Sequence, residues 1–175
     1  MVTVMRRLGD RTHSVGAHRV TLEPGEPLFE TRPGDFVLVK RPRDLFADSA
    51  VFGNWLFGAR GLEWNHAAVF TGTRGQLVHA TREGVKVGHV GEFHECRRMV
   101  VTVLDNVQHR RMAAEHAETL VRPLEELEML RVCARMAAGR GTDGFAPAEV
   151  VAACLRVCSV PISPKTATLA DLLAL

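Results

Sequence analysis

Two histidines stand thirteen residues apart in stretches that read as neighbouring strands. His66 lies in Asn65-His66-Ala67-Ala68-Val69-Phe70, and His79 lies in Leu77-Val78-His79-Ala80-Thr81. Side chains alternate faces along a strand, so His66, Ala68 and Phe70 share one face, as do Leu77, His79 and Thr81 on the return strand. If Gly72 to Gly75 form the turn, Ala68 lies opposite His79. Both imidazoles then occupy the same face as diagonal neighbours, roughly 7–8 Å apart. A slip of one residue in register would separate them onto opposite faces. Two imidazoles within reach of one another suit general-base chemistry, in which one ring activates a nucleophile and the other orients it. An ordinary structural role for each histidine is the plainer alternative. A metal site is weaker, because two imidazoles are too few and His89, His94 and Cys96 fall into no ligand motif.

The elements that would position this pair follow from the surrounding pattern. Thr31-Arg32-Pro33-Gly34-Asp35 is a turn signal, and Phe36-Val37-Leu38-Val39 after it is a short apolar strand. Ser49 can cap a helix with Val51, Phe52, Trp55 and Leu56 at helical spacing, ending before Gly61. The run Phe52, Trp55, Leu56, Phe57, Leu62 and Trp64 is expected to be mainly core, with part of it walling a cleft beside His66. Gly84 to Val90 and Met99 to Leu104 add two more strands, so the middle of the chain reads as an antiparallel meander. The last third changes to helical spacing, over Asn106 to Val121, Leu124 to Ala138 and Pro147 to Cys158, the last with proline at its start. Strands first and helices afterwards predict an α+β domain, a small antiparallel sheet packed on C-terminal helices. Residues 31–175 form that domain, and residues 1–30 read as an added hairpin or an arm.

Composition bounds the function classes. The 175 residues are 46% hydrophobic and 24% charged, ordinary for one globular domain with a substantial core. Lys and Arg number 22 against 20 acidic residues, and this balance of +2, spread along the chain, argues against a nucleic-acid partner. The N-terminus has arginines but no apolar stretch behind them, and no run is long enough to span a bilayer, so neither a secretory signal nor a transmembrane segment is expected. Cys96, Cys133, Cys154 and Cys158 include no CxxC pair and read as reduced, mostly buried thiols. No cofactor and no metal is expected.

Several of these features in order resemble the circularly permuted branch of the NlpC-like papain-fold superfamily, which includes cell-wall peptidase, amidase and lecithin retinol acyltransferase relatives. They are Pro33-Gly34-Asp35 before an apolar strand, Trp64-Asn65-His66-Ala67-Ala68-Val69-Phe70, Leu77-Val78-His79-Ala80, Gly84-Val85-Lys86-Val87, and Thr168-Leu169-Ala170-Asp171 after Pro164. The resemblance spans roughly residues 31 to 172. It implies a permuted papain-like fold in which His66 matches the general base and His79 the polar residue that orients it. Such a site lowers the pKa of a cysteine thiol with an adjacent imidazole and a helix N-terminus.

In this chain the stretch matching the family's nucleophile helix is Phe145-Ala146-Pro147-Ala148-Glu149-Val150-Val151, which places Pro147 where the cysteine is expected. Proline suits a first helical position but carries no nucleophile. Cys154 lies seven residues on, about 10 Å further along the helix axis. That exceeds the 2.6–3.2 Å or so that proton transfer needs. Cys154 is therefore weighed as core first and as catalyst second, and Cys96 as a further candidate. The expectation is a non-catalytic binding or structural module that kept His66 and His79, in a cell-wall or virion context, cytoplasmic or virion-associated. Its partner would be a wall peptide, a lipid or a protein. The alternative is an active cysteine hydrolase or acyltransferase on peptide or lipid amides or esters, so whether the chain is an enzyme stays open.

Overall fold

A computed structural model of the protein describes residues 2–8, 11–28, 30–42, 63–72, 74–138, 140–165 and 167–175. Eight strands form one sheet: β1 (Val2–Leu8), β2 (Arg11–Leu22), β3 (Phe36–Lys40), β4 (His66–Phe70), β5 (Gln76–Thr81), β6 (Gly84–His89), β7 (Arg97–Thr102) and β8 (Arg122–Pro123). Their spatial order is β1-β2-β7-β3-β4-β5-β6-β8, and every pairing is antiparallel. Among the described residues the helices are α1 (Val107–Thr119), α2 (Glu126–Ala137), α3 (Pro147–Val157) and the short α4 (Leu169–Leu173). The chain is thus α+β, the described helices following β1 to β7 and the two-residue β8 lying between α1 and α2.

Only part of the sheet is a meander. β3 to β6 pair in sequence, but β7 does not continue beside β6. A 3-10 turn over Val90–Phe93 carries the chain back across the sheet, and β7 inserts between β3 and β2. The free edge of β6 is taken instead by the two residues of β8. β1 and β2 form a hairpin at the start of the chain, and His18 to Leu22 of β2 extend the sheet by pairing with β7. The helix expected from Ser49 to Leu56 lies outside the described residues, together with Phe52, Trp55, Phe57 and Leu62.

The central strands are apolar on both faces, and strand parity divides the core into two layers. Phe36, Leu38, Ala67, Val69, Val78 and Ala80 meet the helices, chiefly Val150, Val151, Cys154 and Leu155 of α3. Trp64, just before β4, is buried in this same layer. Val37, Val39, Ala68, Phe70 and Leu77 point the other way, where Val90, Phe93 and Cys96 of the crossover cover them. Burying both faces of β3 and β4 is what a run such as Phe-Val-Leu-Val requires, since neither parity offers a polar face to water.

The helix starts are set by local chemistry. Asn106 accepts from the N–H groups of Gln108 and His109 and so caps α1. α3 opens on Pro147, whose missing N–H is no loss in a first turn. Thr168 and Asp171 form a reciprocal capping box at α4. The Pro33-Gly34 turn lies directly against α1: Gly34 has φ +82°, and a Cβ there would come within 2.6 Å of the Arg110 carbonyl oxygen. Only glycine fits that contact.

Candidate functional site

β4 and β5 pair with Ala68 opposite His79, the register inferred from a turn over Gly72 to Gly75. His66 and His79 therefore share a face, and they meet: His66 Nε2 lies 3.0 Å from His79 Nδ1, with the rings edge to face and their centroids 5.2 Å apart. Phe93 packs against both imidazoles, its ring centroid 5.4 Å from His66 and 5.5 Å from His79. Both histidines are almost wholly buried.

Neighbours fix this pair. Asn65 accepts from the Arg41 N–H and donates its side-chain amide to the Arg41 carbonyl, so the chain leaving β3 is tied beside the start of β4. The Arg41 guanidinium then lies over the Phe93 ring, 5.9 Å from its centroid. On the far side, Glu92 is the third residue of the 3-10 turn. Its Oε1 accepts from the His89 N–H at 2.8 Å, while Oε2 sits 3.8 Å from His79 Nε2. Gly88 leaves the space for this approach, because a Cβ there would stand 2.8 Å from His79 Nε2 and 2.6 Å from Glu92 Oε1.

The carboxylate orders the protons. A lone pair on His79 Nε2 facing Glu92 would be repelled, which favours the tautomer with the hydrogen on that nitrogen and with His79 Nδ1 accepting from His66 Nε2–H. The bond polarity runs from His66 through His79 towards Glu92, leaving the basic lone pair on His66 Nδ1. At 3.8 Å the last link is longer than a hydrogen bond, and His79 Nε2 is buried without a partner among the described residues. Both rings are held neutral. Burial, then the neighbouring His79 and Arg41, push His66 well below the usual histidine range. Burial lowers His79 to about 4, against an upward pull from Glu92 and with Lys86 and Arg41 adding to the fall.

The structure does not bring Cys154 to this pair. Cys154 is fully buried on α3 in the helix-side layer, while His66 and His79 lie on the opposite sheet face. Burial chiefly, and then Cys158, push its thiol up to about 12. Pro147 opens α3 in the same helix-side layer, so the imidazoles do not face the start of that helix as the resemblance implies. Cys96 is the cysteine on the histidines' side, buried with Phe93 and Val39. Burial raises its thiol, opposed by the positive charges of Arg41 and Arg98.

Among the described residues no group of three or more His, Cys, Asp or Glu side chains could hold a metal ion, and no helix is long and apolar enough to cross a membrane. Sequence reasoning missed Glu92, Gly88 and Arg41. The spacing of His89 and Glu92, three apart before an apolar Phe93, carries the capping-box signal that could have found the first of them. No family model matches the chain, and no curated protein matches it.

Proposed function

We propose that this chain is a non-catalytic binding or structural module, built on a domain related to the permuted NlpC-like papain fold. The observation that carries this reading is the separation of thiol from base. The helix that would present a nucleophile opens on Pro147, and Cys154 lies in the opposite layer with its thiol pushed up to about 12. A cysteine that stays protonated and cannot reach an imidazole does not attack an acyl carbon. The relatives named by the resemblance process cell walls or acyl groups, so a wall peptide, a lipid or a protein of a wall or virion assembly is the partner class.

The test is thiol reactivity and turnover on the intact chain. Iodoacetamide should label no cysteine at a rate that His66→Ala changes, and the protein should cleave neither wall peptides nor simple thioesters above background. One observation favours the alternative, an active cysteine hydrolase or acyltransferase: Cys96 shares the layer of Phe93, whose ring touches both imidazoles. Labelling of Cys96 that falls with His66→Ala, together with turnover lost in the same variant, would establish that alternative and overturn the module.

A further inference from the structure

A cavity of about 450 Å³ lies away from the histidines between the Pro33-Gly34 turn and α1. Its size is that of a small-molecule pocket. The walls are fixed by backbone. Gly34 donates to the Phe70 carbonyl at 2.8 Å, Phe70 donates to the Asp35 carbonyl at 2.8 Å, and Gly34 abuts the Arg110 backbone. These contacts hold Arg32 on the turn and Arg110 on the helix at one cavity, with Thr71 beside them. Pro33, Val107 and Ala114 supply apolar surface.

The charges are unevenly satisfied. Arg111 is paired with Glu115 at 2.7 Å. Arg32 and Arg110 make no ion pair within 4 Å among the described residues, although both lie near enough to Asp35, buried behind the turn, for their charges to favour its ionised form. Glu118 lies two turns further along α1, about 12 Å from Arg110. The cavity thus has the Arg32 and Arg110 side chains for the anionic group of a ligand, apolar surface from Pro33, Val107 and Ala114 for its body, and in Glu118 a carboxylate that repels a second negative charge. From this charge complementarity we infer that the cavity binds a small monocarboxylate with an apolar body, its carboxylate held by Arg32 and Arg110. Guanidinium groups suit that recognition because their paired N–H donors match the two carboxylate oxygens.

The experiment uses the full chain, ¹⁵N-labelled and followed by NMR, titrated with three small probes of the same apolar body. These are N-acetyl-leucine, its neutral analogue N-acetyl-leucinamide, and the cation leucinamide. The amides of Gly34, Thr71 and Arg110 should shift with N-acetyl-leucine and saturate. The neutral analogue should bind at least about fivefold more weakly, as expected for loss of a charge-assisted hydrogen bond at a partly exposed site. Arg32→Gln and Arg110→Gln, both at non-buried positions, should each reduce binding of the acid by a similar factor and leave binding of the neutral analogue unchanged. Equal binding of acid and neutral analogue, preference for the cation, or no saturable shift at these amides would each overturn the inference. The readout is independent of His66, so its failure leaves the thiol tests of the module reading untouched.

Discussion

His66 Nε2 and His79 Nδ1 lie 3.0 Å apart inside the protein, and both rings are kept uncharged by burial. In the unfolded chain each ring takes up a proton near pH 6.5. In the folded chain His79 does so only at about 4, and His66 lower than its ordinary value as well. The unfolded state therefore binds more protons below pH 6.5, so the pair's contribution to stability is fully present above that pH and is lost as pH falls towards 4. The slope is ~1.4 kcal/mol per pH unit for each histidine. Urea melts at pH 7.5, 6 and 5 should show this decline, and His79→Phe should flatten it. A stability that stays level between pH 7 and 5 would mean the imidazoles are not buried as a neutral pair.

Gly88 tests the link between His79 and Glu92. A methyl group at Gly88 would stand 2.8 Å from the His79 ring nitrogen and 2.6 Å from the Glu92 carboxylate. Glu92 is half-exposed and can swing aside, but the His79 ring is packed and cannot. Gly88→Ala should therefore cost ~1–3 kcal/mol by overpacking and change the ring-proton NMR signals of His79. Unchanged stability and unchanged histidine signals would show that the glycine is not needed for this approach.

The thiols give a third expectation. Pro147→Cys would place a cysteine in the first turn of α3, where the helix N-terminus favours a thiolate. A reading from sequence alone expects this thiol to be activated by both histidines. The observed faces predict otherwise, because the imidazoles lie across the sheet from α3. Iodoacetamide labelling of Pro147→Cys should thus be the same with and without His66→Ala. A His66-dependent rate would require that the imidazole reach the α3 N-terminus.

These outcomes also mark where the sequence was legible. The α+β order, the three longer helices and the register of β4 with β5 follow from periodicity and turn chemistry, which are local. Gly72 to Gly75 fixes the hairpin, and the hairpin fixes which residue His79 opposes. The path of β7 is not local: its apolar alternation suits either edge of the sheet, and the insertion beside β3 depends on the crossover from Val90 to Cys96. The same limit hid the face of the histidines. Val37, Val39, Ala68 and Phe70 are as apolar as Phe36, Leu38, Ala67 and Val69, so hydrophobicity gives no sign of which parity the helices cover. Glu92 reaches His79 only because the crossover folds back over β5.

The stretch that opens α3 carries a buried acid, Glu149, and its role is visible in its bonds. This buried carboxylate accepts from the Thr142 N–H at 2.7 Å through one oxygen. Its other oxygen accepts from the Thr142 hydroxyl at 2.8 Å and the Gly144 N–H at 2.8 Å. Thr142 Oγ in turn accepts from the Ala146 N–H at 2.6 Å, so the loop before the helix is closed by one acid. Burial raises the Glu149 pKa, and these donors pull it back. Glu149→Ala would leave the buried donors without an acceptor and should cost ~3 kcal/mol or more. Glu149→Gln keeps the shape, yet whichever way the amide is turned its NH₂ faces an N–H group, of Thr142 on one side or Gly144 on the other. A penalty of ~1–3 kcal/mol is expected, smaller than for alanine. Hydrogen exchange should speed up at Thr142 and Gly144 in both variants while the amides of β4 stay protected. If Gln equals the parent in stability and exchange, the acid is not the latch of this loop.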